Sequence, residues 1–589
     1  MCKNLKHLIK IIFFVIIYQN LAYSIDIDDG GVTTAKQTFT SADTTITISN
    51  SSTLRNSLNN MININGQDNG TVIIEAGSTV ETTGGKSNPI NGNAASGLTI
   101  TNSGTIKSAS SKAINLTDAT TGTLTNNSGG VIQAKTNTIS MFGGSTDDVT
   151  IHNNGTIFAT DDDDEQTNTI KSHEDSTNIT INNNSGGHIY HTSQGAVIFL
   201  AGGATLNNSG KIENKDGPNV NSIGILGSTG VTLNLKEEGI VIGKINISGS
   251  GHTIKVNHGM GRSYYYNTSG TGTYDLEDLD GNIIVKGSVG SVAQGGNEIL
   301  DEQLGHKSIN LRKSIGKFKR SEQYLNQEDA WTEMFTSFEK RQGEKESLRL
   351  EHNNLRAGAN IIQPGESSNQ IFLIETGRQE FAKDHNIDRI SISTGLLTDE
   401  KQSKFNSNSE TFFLLGVTYN NSTRRILTNT TTSGLLDIDD EYFSYDALYG
   451  TKFLNDMIPD ISYSIGYSLT PSHEESHYYK WEKKDFINAS VALSDEYSIL
   501  SDDKSKLYFN WLADYRQVVL ENTQEFKVNN VSASYKPDDD LSREIILTVG
   551  LDYEFQPLEN NLFSVNLDGL YSSQETYGAQ AKLYYKSIF

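Results

Sequence analysis

A short asparagine–glycine motif recurs five times in the first half of the chain, and it restricts the fold more than any other feature. ITNSGTI begins at Ile100, LTNNSGGVI at Leu124, IHNNGTI at Ile151, INNNSGGHI at Ile181 and LNNSGKI at Leu206, with steps of 24, 27, 30 and 25 residues. A second short apolar segment follows each one: AINL from Ala113, TISM from Thr138, TIKS from Thr169, AVIFL from Ala196 and SIGIL from Ser222. Short strands, a turn at fixed offset and a period in the twenties predict a β-solenoid, whose coils bury their apolar faces only by stacking. Asparagine at the same corner of successive coils can ladder its side-chain amides at the ~4.8 Å strand spacing. The neighbouring glycine is expected to take the positive φ of the corner. Leucine-rich repeats share the period but need a Leu/Asn consensus that this chain lacks. The alternating runs TVIIEAGSTV and GAVIFL argue against a disordered polar tract.

The second half has a different chemistry. Only nine of the 50 aromatic residues lie between Ile25 and Leu300, and all three tryptophans, Trp331, Trp481 and Trp511, come later. NEILDEQLGHKSINLRKSIGKFKR, from Asn297, reads as a charged, helical linker. Alternating segments follow, beginning at Thr332, Gln370, Arg389, Thr411, Tyr442, Ile461, Leu507, Phe526, Glu544, Leu562 and Tyr577, with weaker ones near Leu355 and Phe486. One face of each is apolar or aromatic, the other polar. A soluble sandwich would turn the polar face outward; an outer-membrane barrel turns it toward the lumen. The last strand favours the barrel. Counting back from Phe589, one face carries Tyr585, Leu583 and Tyr577, the other Lys586 and Lys582.

Net charge is −24, which opposes nucleic-acid binding. Mean hydropathy of −0.44 opposes a bundle of membrane helices but not a barrel. The single cysteine, Cys2, falls within a leader, so a thiolate nucleophile, a cysteine zinc site and a disulfide framework are excluded. In that leader, Lys3, Lys6 and Lys10 precede the apolar stretch Ile11–Tyr18, and Ala22 and Ser24 supply the small residues for cleavage before Ile25. The apolar stretch is too short to span a bilayer.

Leader, Asn/Gly solenoid, linker helix and terminal-aromatic barrel together resemble a monomeric type V autotransporter over essentially the whole chain. The implied fold is all-β: a right-handed parallel β-helix passenger, a linker helix and a roughly 12-stranded antiparallel transmembrane β-barrel. The corresponding divisions are 1–24, 25–290 (with a folding segment at about 239–290), 291–324 and 325–589. The resemblance implies residence in outer-membrane lipid, with the passenger at the cell surface. It also implies recognition of the last strand by the barrel assembly machinery through Tyr577, Leu583, Tyr585 and Phe589. Ser587 departs from the usual apolar residue at its position, and the linker helix lacks the Asn-Asn pair at which some members are cleaved.

No catalytic motif is legible in the passenger. Gly-Asp-Ser-Gly and Gly-x-Ser-x-Gly settings are missing, and His152, His173, His188 and His191 lack zinc-site spacing. His188 and His191 read as surface residues flanking Tyr190. Asp161–Glu165 could hold Ca²⁺ weakly but reads as a solvated loop. Tyr264, Tyr265 and Tyr266 could stack on sugars, although capping of the solenoid is the preferred reading. The sequence therefore predicts a non-enzymatic adhesin or interaction scaffold, with a hydrolase of dispersed catalytic residues as the alternative. The expected protein is a monomer without cofactor, metal or nucleic-acid partner, and its surface ligand, host or glycan, is unspecified.

Overall fold

The computed structural model describes residues 24–587, apart from 41–43, 161–166, 286, 293–299, 323–329, 343–350, 382–383, 403–406, 455–458, 475–478, 503, 522, 536–541 and 559–560. The chain forms two compact units. The first is a parallel solenoid with three sheets of eleven, nine and ten strands, in which every third strand is a neighbour. Its strands are short because each coil must turn three times within 24 to 30 residues. Apolar positions stack in register: Ile100 on Leu124, Ile151, Ile181 and Leu206, all buried. That column is the continuous core which the sequence period requires.

The motif asparagines form the expected ladder. Asn102 Nδ2 donates to Asn126 Oδ1 at 2.8 Å, Asn126 to Asn153 at 2.9 Å, Asn153 to Asn183 at 2.9 Å and Asn183 to Asn208 at 2.8 Å. All five are buried; an amide with both ends bonded avoids the ~1–3 kcal/mol penalty of an orphaned polar group. Apolar residues bound the ladder, since Asn102 pairs with Ile74 on one side and Asn208 with Leu235 on the other. The glycine shared by the motifs plays a different part from the one expected. Positive φ falls on the extra glycines Gly129 (83°) and Gly186 (84°). The shared glycine is needed for close approach: a Cβ at Gly130 would stand 2.6 Å from the Asn102 carbonyl of the coil beneath.

The second unit is a closed antiparallel barrel. Its strands are β1 (Trp331–Arg341), β2 (His352–Gln363), β3 (Asn369–Phe381), β4 (His385–Gln402), β5 (Ser407–Thr428), β6 (Leu435–Leu454), β7 (Asp460–Thr470), β8 (Lys484–Ser501), β9 (Ser505–Glu521), β10 (Arg543–Leu558), β11 (Asn561–Ser572) and β12 (Thr576–Ser587). Pairing of β12 with β1, from Glu333–Tyr584 to Arg341–Thr576, closes the ring and removes the sheet edges. The segment from Phe526 is not a barrel strand, contrary to the sequence reading. Asn529 and Asn530, both at positive φ, fold it into a tight hairpin of a separate four-stranded sheet with Tyr479–Trp481.

Candidate functional site

The chemistry of the barrel unit concentrates in its lumen, around a 23-residue helix, α1 (Leu300–Glu322). Its cations point in several directions, a pattern that does not suit a helix lying on an apolar core. Each direction meets an inward carboxylate on a different strand. Lys307 Nζ lies 2.9 Å from Asp446 of β6, Arg312 2.9 Å from Asp514 of β9, and Lys313 3.0 Å from Asp568 of β11. Lys317 reaches Glu333 of β1 at 3.1 Å, Lys319 reaches Glu410 of β5 at 3.2 Å, and Arg320 reaches Asp552 of β10 at 2.8 Å. Toward the other end of α1, Glu302 accepts from His352 at 3.2 Å and pairs with Arg341, while His306 and Arg356 share Glu339 at 3.1 and 2.5 Å. Bonds to strands all round the ring place α1 inside the barrel.

Packing completes the plug. Gly466 lets Leu304 approach β7, where a Cβ would be 2.6 Å from Leu304 Cδ2. Gly305 leaves room for the Arg516 guanidinium. At its C-terminal end, Phe318 meets Trp331 edge-on at 6.2 Å, and Trp331 stacks on Tyr584 at 5.3 Å. Because β1 begins at Trp331, this aromatic cluster fixes where the helix stops and the wall begins. The arrangement can neutralise the lumen and obstruct a water-filled pore.

The outer wall has the opposite character. Met334, Leu355, Ile374, Ile392, Leu415, Ile465, Val549 and Leu567 are among its exposed apolar side chains. Tyr577, Leu583 and Tyr585 all face outward on β12. Tyr571 pairs with Tyr577, and Phe563 with Tyr585, whose ring lies 4.6 Å from that of Phe563. Eight residues separate the two aromatic positions of β12, roughly 26 Å of strand, or about 20 Å of height at the ~35–45° tilt of barrel strands, close to the apolar band between aromatic girdles. An apolar exterior around a charged interior inverts the distribution of a water-soluble barrel.

Phe589 and Ala22 lie outside the described residues, as do Asp161–Glu165 and the calcium reading attached to them. Ser24 opens the first solenoid strand and pairs with Thr45. One passenger expectation is corrected, and one alternative is set aside. His191 is buried rather than surface-exposed, its Nε2 3.3 Å from Thr167 Oγ1, because strand alternation sends it inward while His188 and Tyr190 face out. Tyr264, Tyr265 and Tyr266 are buried and offer no face to a sugar; Tyr266 Oη instead bonds His258 Nε2 at 2.8 Å.

Sequence reading missed the lumenal ion pairs. Their trace is present in KSINLRKSIGKFKR and in single acids at inward strand positions, but nothing in one dimension pairs them.

No family model and no curated protein matches the chain. Among solved structures it resembles the translocator domain of autotransporter NalP from Neisseria meningitidis, at 11% identity over 49% of this chain and 98% of that one, TM-score 0.33. It also resembles the transport unit of autotransporter AIDA-I from Escherichia coli, at 9% identity over 44% and 90%, TM-score 0.30. An outer membrane channel from Pseudomonas putida F1 matches at 10% identity over 45% and 97%, TM-score 0.29. The chain thus carries a parallel β-solenoid, followed in the sequence by a lumen-filling helix and a closed twelve-stranded barrel with an apolar exterior.

Proposed function

We propose that the barrel holds the protein in the outer membrane and that the solenoid is displayed at the cell surface as an adhesin or interaction scaffold. The observation that carries this reading is the outer face of the eleven-stranded sheet. Thr45, Thr71, Thr99, Thr123, Thr150, Thr180, Thr205, Thr232 and Thr253 stand in one register column. Threonine is stiff at χ1, so the column presents a rigid, uncharged row of hydroxyl and methyl groups. Alongside it, Asn207 bonds Asn182 at 2.9 Å and Asn234 bonds Asn207 at 2.8 Å.

A polysaccharide hydrolase needs a pair of carboxylates facing one site. On the nine-stranded sheet, Glu81 is engaged by Arg55 at 2.9 Å, and Glu213 by Lys211 at 2.9 Å and by Lys215. Both acids are thus engaged by neighbouring cations, which supports the scaffold reading over the hydrolase. The test is to display the full chain on cells and measure attachment to host cells and glycan arrays alongside release of reducing ends. Attachment without turnover supports the scaffold; turnover that follows the intact solenoid would replace it with the hydrolase.

A further inference from the structure

Beside the threonine column, the next two outward positions of each coil complete a face three side chains wide, shown at its middle by Thr150, His152 and Asn154. Over the five coils from Thr99 to Thr205, which keep one register, every position on this face is Thr, Ser, Asn or His. Charges bracket it. Glu75 and Lys236 take the third outward position one coil beyond each end, following Ile74 and Leu235, which pair with Asn102 and Asn208. Among the described residues neither is ion-paired within the chain.

The side chains of the face hold one another in place. Asn127 Nδ2 donates to Ser103 Oγ at 2.9 Å and Asn184 Nδ2 to Asn154 Oδ1 at 2.9 Å, while His152 Nδ1 lies 3.3 Å from Asn182 Nδ2. Groups fixed in advance lose little rotamer freedom on binding. Among the described residues, the hydroxyls of Thr123, Thr150 and Thr180 have no partner within the chain. They form a row of unmade hydrogen bonds that repeats at the ~4.8 Å strand spacing. A ligand of another repeat drifts out of step with that row; a second solenoid of this chain has the same repeat by construction. Charge selects the same partner. Two copies at −24 each repel one another, and an uncharged face is where that repulsion is least.

We propose that this face pairs with the same face of a second copy on a neighbouring cell, antiparallel about a two-fold axis through the coil of Thr150. The proposal rests on the reading of the solenoid as a displayed binding surface and names its partner. Two-fold symmetry sets each position against its equivalent: Thr150 meets Thr150, Thr123 meets Thr180, and Glu75 meets Lys236 at both ends. A parallel pairing leaves Glu75 and Lys236 unmatched, so these charges set the orientation. Asp148, at a corner with φ of 49°, borders the axis and faces its own copy across the rim, which opposes pairing. From Glu75 to Lys236 the face measures about 29 Å by 13 Å, roughly half of the ~800 Å² per partner in a standard interface. A single pair is therefore weak and an isolated chain stays a monomer. Pairing becomes effective where many copies on two cells engage together.

The test expresses the full chain in a non-aggregating Gram-negative host and scores aggregation by sedimentation, after antibody labelling of the solenoid on intact cells. Wild-type cells should aggregate with one another and exclude cells that lack the protein. Thr150→Lys and Thr150→Glu each set like charges together on the axis, so either population alone should stay dispersed. Mixing the two should restore aggregation, because lysine then meets glutamate. Asp148→Asn should increase aggregation, and Gln133→Lys, on the nine-stranded sheet, should leave it unchanged. If either Thr150 variant is not displayed, His152→Lys and His152→Glu, on the same axis, take their place. Labelled wild-type cells that stay dispersed, or single variants that aggregate like wild type, overturn the pairing. Displayed variants that stay dispersed when mixed overturn the two-fold axis. Entry of cells lacking the protein into the aggregates assigns the face to a surface glycan instead. Absence of label on wild-type cells overturns the display reading, and the pairing with it, before aggregation is scored.

Discussion

Arg312 Nη2 lies 2.9 Å from Asp514 Oδ1, with the two side chains 1% and 0% exposed. This pair ties the middle of α1 to β9 where neither charge can be hydrated. Removing one partner strands the other, at a cost of about 3–5 kcal/mol, whereas replacing both with apolar residues of similar volume is often tolerated. We expect Asp514→Ala to loosen α1 and raise single-channel conductance in planar bilayers. Arg312→Met combined with Asp514→Leu should return conductance toward wild type. Equal conductance in all three proteins would show that α1 does not depend on this pair.

The asparagine ladder makes a graded prediction. Asn153→Ala breaks two ladder bonds and the bond from the Gly155 N–H, orphaning Asn183 Oδ1 and that N–H, while Asn126 Nδ2 keeps the Gly130 and Thr156 carbonyls. Asn102→Ala breaks one ladder bond, orphaning Asn126 Oδ1, and removes an oxygen, Asn102 Oδ1, that is itself buried without a partner. At about 1–3 kcal/mol per orphaned group, Asn153→Ala should lower solenoid stability by more than Asn102→Ala. Protease resistance of the solenoid in the full-length protein, measured against urea, orders the two.

Leu583 is 49% exposed on the outer wall. In water, Leu583→Arg would cost little; facing lipid, it costs up to about 2–4 kcal/mol, depending on depth. The expected outcome is a reduced folded fraction of Leu583→Arg on a heat-modifiability gel of outer membranes, with Lys504→Arg as an unaffected control. A folded fraction matching the control would contradict a lipid-facing wall.

The solenoid should lose stability in mild acid through His188. Burial lowers its imidazole below the ordinary 6.5; Glu213 at 3.0 Å opposes this, and Lys211 and Lys215 reinforce it. A depressed value means that the unfolded chain takes up the proton first, so stability present above pH 6.5 drains away as the pH falls. His188→Gln should therefore flatten the decline in solenoid unfolding midpoint between about pH 7 and pH 5. Glu213 adds a second loss at lower pH. Burial alone would raise its carboxyl, but bonds from Lys215 and Lys211 hold it below its ordinary value, so its contribution disappears as pH falls through that lowered value. An unchanged profile in His188→Gln would remove His188 as the cause of the first loss.

The sequence by itself determined the class of each half, because periodicity is a local property. Repeats at 24 to 30 residues oblige short strands to stack, and the alternation from Tyr577 to Tyr585 obliges one face to differ from the other. Individual barrel strands were legible for the same reason, down to the weak ones at Leu355 and Phe486. The segment at Phe526 misled because a hairpin and a long strand share the same alternation, and only the Asn529–Asn530 turn separates them.

What tertiary structure decided are the relationships between residues remote in sequence. Nothing local tells Lys313 that it will meet Asp568, or distinguishes Arg312, buried against Asp514, from a solvated linker residue. Nor does sequence show that Glu75 and Lys236 bracket one uncharged column, since the register that aligns them is fixed by the stacked coils as a whole. The same holds for the motif glycine, whose constraint comes from the carbonyl of the coil beneath and not from its own backbone. Periodicity fixes which face is buried; only closure of the ring and stacking of the coils fix what each buried group faces.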